Sequence, residues 1–466
     1  MDKQAEEDLT LLLPDDALAA VLARVAPRGL AASRSVCRAW RAVVDARRLL
    51  RTDLLPLRLG GVFLETWGLD GPNRFPALFS QPSAAIGDDL GYLDLDDGGD
   101  DAVGSWSLEG HCGGLLLFSE CVCYDYPGVW SDHVVNPATR RWARLPPRPA
   151  SSLSLPLGMK DFYRNSYLMF DPADSPDYEV LLVPEVQCWG PMDPPATEKQ
   201  KLEWPPSPCA MGVFSSRSGN WEERLFIREG PAMGTIAEIK GSLTIGNRHY
   251  GVYWRGVLYV QCLRNFVMRI NPSTGSYHLI APPATRIPGR GFHLGKSEKG
   301  VYYGRISYQC QLFVWFLDES DGRAQWVLKC DRDLSPLQAR RNYDEHINGP
   351  WFLQCYGKEE DYTDTEELYD DDETDLMAEY IAGLDEEALE EGISQSGSAY
   401  DYTRYAGSLT FLGFHPYKEI VFLNFLKTRG LAYHLNTSKM QDLGSFVPER
   451  SLQNVSASFV YTPCWM

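Results

Sequence analysis

No run of 18 uninterrupted apolar residues occurs anywhere in the 466-residue chain, which excludes a membrane-spanning helix. The first residues, MDKQAEEDLT, are acidic and polar where a secretory leader is basic and then apolar. The expected location is therefore intracellular, cytoplasm and/or nucleus, and not secreted. Cysteine is scattered: of eleven, the closest two, Cys121 and Cys123, are separated by one residue, which is not a zinc-knuckle spacing. Reduced thiols are expected, and the sequons at Asn436 and Asn454 are chemically silent in that compartment. The eight histidines show no pair at helical metal spacing, and no Gly-x-Ser-x-Gly elbow occurs. The expectation is no catalytic residue, no cofactor, no metal and no enzymatic activity of the chain's own.

A phosphate loop is also missing, although GRGFHLGKS (289–297) superficially offers one. A Walker loop needs glycine at position 290, which is arginine, and a long helix afterwards, where GVYYGRISY (300–308) reads as strand. The stretch reads instead as a glycine-rich connection between strands. Nor does a basic, aromatic-interleaved stripe mark a nucleic-acid surface. The net charge of −19 is concentrated: residues 359–391 hold 17 acidic and no basic side chains, leaving 46 acidic against 44 basic elsewhere. Segment 357–407 is expected to be a disordered acidic insert, with Leu376, Tyr380, Ile381 and Leu384 at helical spacing inside it. The first ten residues are expected to be disordered as well.

What is present begins with LLLPDDALAAVLARV (11–25). Leu18, Val21, Leu22 and Val25 recur at i, i+3, i+4, i+7 and share one helical face, with Pro14 and two aspartates at its start. A middle turn carries Leu30, and SRSVCRAWRAVVDARRLL (33–50) gives another stripe through Val36, Cys37, Trp40, Val43 and Val44. Three helices in about 40 residues are marginal alone without a disulfide or metal. Something must cover them, either the rest of this chain or another protein.

Beyond residue 56 the period shortens. Apolar runs such as GGLLLF (113–118), YEVLLVPEV (178–186) and QLFVWFL (311–317) are bounded by Gly, Pro, Asn and Ser and read as strands. A weak repeat joins VVNPATRRWARLPP (134–147) to MRINPSTGSYHLIAPP (268–283), with echoes at 213–226, 316–329 and 433–443. Each is a strand, a polar turn and a second strand, with Trp142, Trp221, Tyr277 or Trp326 in four of the five. Radial repetition of such hairpins gives a β-propeller. Without 357–407, residues 56–466 allow six blades of ~60 residues or seven of ~51, near the kelch period of ~50. SASFVY (456–461) is expected to close the ring against LRLGGVFLE (57–65). A β-sandwich or two smaller β-domains is the competing architecture.

The order Leu13-Pro14-Asp15, Leu18, Leu22, Leu30 and Val36-Cys37-Arg38-x-Trp40 resembles an F-box. The resemblance implies a Skp-type adaptor as partner and, through it, a cullin scaffold and a ubiquitin-conjugating enzyme. It further implies that Leu13 and Pro14 contact the adaptor, and that Leu18, Leu22, Leu30, Val36, Cys37 and Trp40 divide between internal packing and that interface. Ala31, Ala32 and Ala39 depart from it by thinning the core. HCGGLLLF with HVVNPATRRWARLPP, YLMFDPADSPDYEVLLVPEV and WPPSPCAMGVFSSRSGNWEERLF resemble the kelch-like F-box-associated domain of plant F-box proteins.

The expected organisation is thus multidomain: an all-α three-helix F-box at 11–55, then an all-β domain at 56–466, a six- or seven-bladed propeller. The expected function is a substrate receptor of an SCF-type ubiquitin ligase, with a protein substrate held by propeller loops. The competing function is a kelch-like peptide or glycan binder acting outside a ligase.

Overall fold

The structure, a computed structural model, describes residues 14–25, 30, 33, 36–47, 49, 59–68, 71–72, 77–82, 105–121, 130–149, 162–186, 201–240, 250–263, 266–283, 292–307, 309–336, 349–354, 409–425, 429–445 and 454–464. Residues 1–10, the insert 357–407 with its spaced Leu376 to Leu384, and Leu13 lie outside them. The described chain opens with two short helices, α1 (Asp15–Leu22) and α2 (Arg38–Ala46), and is β-structure thereafter except for α3 (Ile236–Lys240). None of its helices is long and apolar enough to cross a membrane.

The strands in chain order are β1 (Gly61–Gly68), β2 (Gly71–Pro72), β3 (Ala77–Ser80), β4 (Ser105–Cys112), β5 (Leu115–Cys121), β6 (Trp130–Asn136) and β7 (Arg141–Arg144). Then come β8 (Phe162–Met169), β9 (Glu179–Val186), β10 (Glu203–Trp204), β11 (Cys209–Ser215), β12 (Asn220–Glu229) and β13 (Gly234–Thr235). They are followed by β14 (Gly251–Trp254), β15 (Val257–Gln261), β16 (Val267–Asn271), β17 (Ser276–Ile280), β18 (His293–Ser297), β19 (Gly300–Ile306), β20 (Gln311–Asp318) and β21 (Gln325–Asp333). The last six are β22 (Phe352–Gln354), β23 (Leu409–Phe414), β24 (Ile420–Phe425), β25 (Arg429–His434), β26 (Lys439–Ser445) and β27 (Asn454–Tyr461).

Most of these strands form four-stranded antiparallel meanders. Three stand as separate sheets, β4-β5-β6-β7, β18-β19-β20-β21 and β23-β24-β25-β26. Two more, β8-β9-β11-β12 and β14-β15-β16-β17, join into an eight-stranded path through a short parallel ladder of β12 on β17. The end strands of that path, β8 and β14, touch, so it nearly closes on itself. The remaining array, β27-β1-β3-β22, is assembled from three distant parts of the chain. The first strands of the arrays contact one another in the cycle β4, β8, β14, β18, β23, β27 and back to β4. A closed cycle leaves no inner edge open to a stray strand.

The closure expected between the two ends of the body is present. Gly61 pairs with Tyr461, Val62 with Val460 and Phe63 with Phe459, and the amide of Gly60 donates to the Tyr461 carbonyl at 2.8 Å. Phe63 and Tyr461 meet edge-on at 5.3 Å, both fully buried. A second clasp was not expected. β22 leaves the region after β21, pairs with β3, and places Trp351 against Phe79 and Phe422.

The five hairpin repeats are the third and fourth strands of five arrays, and their polar turns are tight reversals. Asn271 accepts from the amides of Ser273 and Thr274, as Asn136 does from Thr139. Between arrays the faces approach closely: a Cβ on Gly304 of β19 would sit 2.2 Å from the Phe411 ring of β23. The GFHLGKS stretch read as a connection is corrected here. His293–Ser297 is β18, an innermost strand, and its pairing with β19 leaves no helix for a phosphate to sit on.

Polar groups also join arrays. The carboxylate of Glu65 on β1 accepts from the Leu108 amide of β4, and Glu185 on β9 accepts from the Leu263 amide beyond β15. Gln261 on β15 donates to the Phe292 carbonyl ahead of β18. Each is the second strand of its array reaching the next one, and each buries a polar side chain only by giving it a partner.

Candidate functional site

Two places can act on other molecules: the helical N-terminus and the centre of the β-ring. In the first, α1 and α2 have eight and nine residues, too few to persist alone. They are held by one cluster, Leu18, Leu22, Leu30, Val43 and Val44, all nearly inaccessible. Trp40, Val25 and Leu49 pack partly against it, and an exposed Arg47–Asp16 ion pair spans the two helices. Pro14 caps α1, its carbonyl taking the amides of Ala17 and Leu18 at 2.9 and 3.0 Å. Asp15 and Asp16 then place negative charge at the positive end of the helix.

This sorts the residues singled out in the sequence. Leu18, Leu22 and Leu30 are internal; Cys37 and Trp40 are half-buried; Pro14 is exposed. Two expectations are corrected. Val21 is not on the buried stripe but 55% exposed, and Val36 is 63% exposed in a turn ahead of α2 rather than inside the helix. The amide of Val36 bonds the Ser33 carbonyl, which ends the preceding turn and points the chain outward before α2 begins. Among the described residues of this unit, exposed Pro14, Val21 and Val36 and half-buried Cys37 and Trp40 are thus apolar groups open to a partner.

In the ring, a cavity of about 70 Å³ is lined by residues of all six innermost strands. Gly113, Pro416 and Thr462, each just past the end of its inner strand, share it, so it lies where the inner strands end. That is also where β1 begins, because Gly61 pairs with the last residue of β27. Rings crowd around the cavity: His293 lies 4.1 Å from Tyr250 and 5.3 Å from Phe411, and Phe459 lies 5.9 Å from Tyr250. His111 stands 5.8 Å from Phe459 and Lys296 reaches the same space.

Burial governs the chemistry of this cavity. It lowers His293 to about 3, with a smaller push from His111. It lowers His111 to about 4, with the Lys296 charge adding to it. His111 keeps part of its ring open to the cavity, but protein walls surround that space and desolvation still dominates. Both imidazoles are neutral at pH 7. Burial pushes the neighbouring Cys112 thiol up, and its sulfur contacts the Phe170 carbonyl at 3.1 Å. Among the described residues no group of three or more His, Cys, Asp or Glu is placed to hold a metal. No motif announces this site, because its residues come in short runs from six separate strands that only the closed ring brings together.

Residues 11–52 match the F-box domain family. No curated protein matches the chain. Among solved structures, "Hadza microbial sialidase Hz136" is similar at 10% identity with a TM-score of 0.27, over 48% of this chain and 45% of its own length. The chain thus spans less than half of that protein, and a likeness so slight bears on neither fold nor activity.

Proposed function

We propose that this protein is a substrate-recognition subunit of an SCF-type ubiquitin ligase, using its helical N-terminus to hold a Skp-type adaptor and its β-ring to hold a protein substrate. The F-box match over residues 11–52 carries the reading. The apolar groups left exposed by the helical unit, Pro14, Val21 and Val36, supply the docking contacts, joined by half-buried Cys37 and Trp40 and by Leu13. Leu18, Leu22 and Leu30 act indirectly, by setting the angle between α1 and α2.

The ring is read as a six-bladed, kelch-like propeller, each four-stranded array a blade and β27-β1-β3-β22 the blade that closes it. In such a meander the turns between first and second and between third and fourth strands lie at the end where β1 begins, and the connections from second to third strand and from one array to the next lie at the other. The long connections β7–β8, β9–β11, β12–β14 and β22–β23 belong to the second group, so the substrate surface is assigned to the face away from the F-box. The mechanism is proximity: one body holds adaptor and substrate, raising the effective concentration of substrate lysines near the conjugating enzyme. The chain itself performs no chemistry.

The test is co-purification with a Skp-type adaptor. Wild type is recovered with the adaptor, and the double substitution Leu13→Ala, Pro14→Ala is not. Failure of the wild-type chain to bind any Skp-type adaptor would overturn the reading in favour of a peptide or glycan binder outside a ligase.

A further inference from the structure

The cycle of inner strands places β4 and β18 opposite each other, three steps apart in either direction. From these two walls His111 and Lys296 line the same cavity, close enough that the ammonium acts on the imidazole. Two groups that donate hydrogen bonds and gain stability beside negative charge therefore share one enclosed space. Among the described residues Lys296 has no carboxylate within ion-pair distance, and the single carboxylate lining the cavity is Glu109. A cavity of about 70 Å³ is several times what one water needs, roughly 10–15 Å³.

We propose that this cavity binds a small oxyanion between the ammonium of Lys296 and the imidazole of His111. The anion accepts charge-assisted hydrogen bonds from both walls and ties opposite sides of the ring together. The titratable groups facing it are Lys296, His111, His293, Glu109, Cys112, Tyr167, Tyr250 and Tyr253. His111, on which the Lys296 charge already acts, is the imidazole the anion meets: bound negative charge favours its protonated form, so an anion whose own charge is constant from pH 8 to 6 takes up a proton on binding and binds more tightly as pH falls. Glu109 opposes it by like charge. The site is independent of the adaptor-binding reading, since none of its residues belongs to the helical unit.

Inorganic phosphate is the probe, titrated calorimetrically into the full chain at constant ionic strength, with sulfate and acetate in parallel arms. Saturable phosphate binding is expected, and Lys296→Met should weaken it at least tenfold while Lys296→Arg retains it; sulfate, whose charge is constant over the range, should bind more tightly at pH 6 than at pH 8. Stronger binding of acetate than phosphate would keep the oxyanion and assign its source to carboxylates. If Lys296→Met does not fold, Glu109→Gln decides, because it must tighten phosphate. No saturable binding of any of the three anions, or affinity unchanged in Lys296→Met or Glu109→Gln, overturns the proposal.

Discussion

The indole N–H of Trp221 donates to the carbonyl of Pro146, 75 residues earlier, at 2.9 Å. Trp326 makes the same bond to Ala281 at 2.9 Å, and both acceptors lie just past the fourth strand of the preceding array. In these two copies the repeated aromatic is therefore a strut between arrays as well as a cover for its own. Trp221 also packs on Phe214 at 5.5 Å. Trp221→Phe keeps the packing and loses the bond, so it should cost about 1 kcal/mol in urea denaturation. Trp221→Ala should cost more, about 2–3 kcal/mol, since the ring is only half-buried. Equal losses in the two variants would remove the strut from the account.

The turns of the same repeats carry a second prediction. Gly219 and Gly275 hold the left-handed position of their turns, with φ of +69° and +65°. The equivalent positions elsewhere are Arg140 and Ser438, with φ of +53° and +55°. A side chain there costs about 1–2 kcal/mol. Arg140→Gly relieves that strain, partly offset by the ~0.5–1 kcal/mol of backbone entropy that glycine loses on folding. A net gain of about 0.5 kcal/mol is expected by chemical denaturation, and likewise for Ser438→Gly. A loss of stability in both would show that Arg140 and Ser438 earn their place by contacts instead.

These hairpins were legible in the sequence because turn chemistry is local: Asn136 and Asn271 specify their reversals from within. The closing strand was legible too, since Ala457 and Phe459 alternate with Ser456 and Ser458 along β27. Three residues, Phe352, Leu353 and Gln354, carry no pattern that could announce β22, and only the groove beside β3 selects them. His293 was hidden among glycines that read as a loop, although Gly295 is there to admit the Phe414 ring, 2.5 Å from a Cβ built at that position. Val36 was misassigned because side-chain direction depends on where α2 starts, which spacing alone leaves open by a residue or two.

A buried ion pair links the first meander to the connection that follows it. Asp132, with 1% of its side chain exposed, takes bonds from Nε and Nη2 of Arg148 at 2.7 and 2.6 Å and from the Ser119 hydroxyl. Arg148 also donates to the carbonyl of Arg164 at 3.2 Å, carrying the link into β8. Asp132→Ala strands a guanidinium in a poorly solvated site and should cost about 3–5 kcal/mol. Replacing both, Asp132→Leu with Arg148→Met, should recover part of that loss. A double-mutant cycle in urea measures it, and strictly additive effects would mean the pair is not coupled.

Acid should weaken the ring before it affects an ordinary protein of this size. His293 and His111 fall to about 3 and about 4 in the fold, against 6.5 in the unfolded chain. A depressed histidine binds fewer protons folded than unfolded, so its stabilisation is complete above pH 6.5 and drains away as pH falls towards those values. At pH 5 each of the two gives up about 2 kcal/mol, from ~1.4 kcal/mol per pH unit. His133 and His415, also lowered to about 4 by burial, act in the same direction. Thermal unfolding at pH 7.5 and pH 5 should differ by roughly 5 °C or more, given ~2 cal/mol/K of unfolding entropy per residue. A flat profile between those values would show that neither imidazole is held neutral.

The helical unit separates packing from docking, and that separation is measurable. Leu22 is 1% exposed in the cluster joining α1 to α2, whereas Val36 is 63% exposed and outside that cluster. Val36→Asp places a charge in solvent and should leave stability within about 0.5 kcal/mol, as surface changes do. On a surface that an adaptor covers, the same charge is desolvated without a partner, so adaptor affinity should fall by at least tenfold. Leu22→Asp should instead unfold α1 and α2 while the ring keeps its own transition. Limited proteolysis, with adaptor affinity by surface plasmon resonance, distinguishes the two outcomes. If Val36→Asp binds the adaptor as tightly as wild type, the docking surface lies elsewhere, and Val21 is the next exposed apolar group to test.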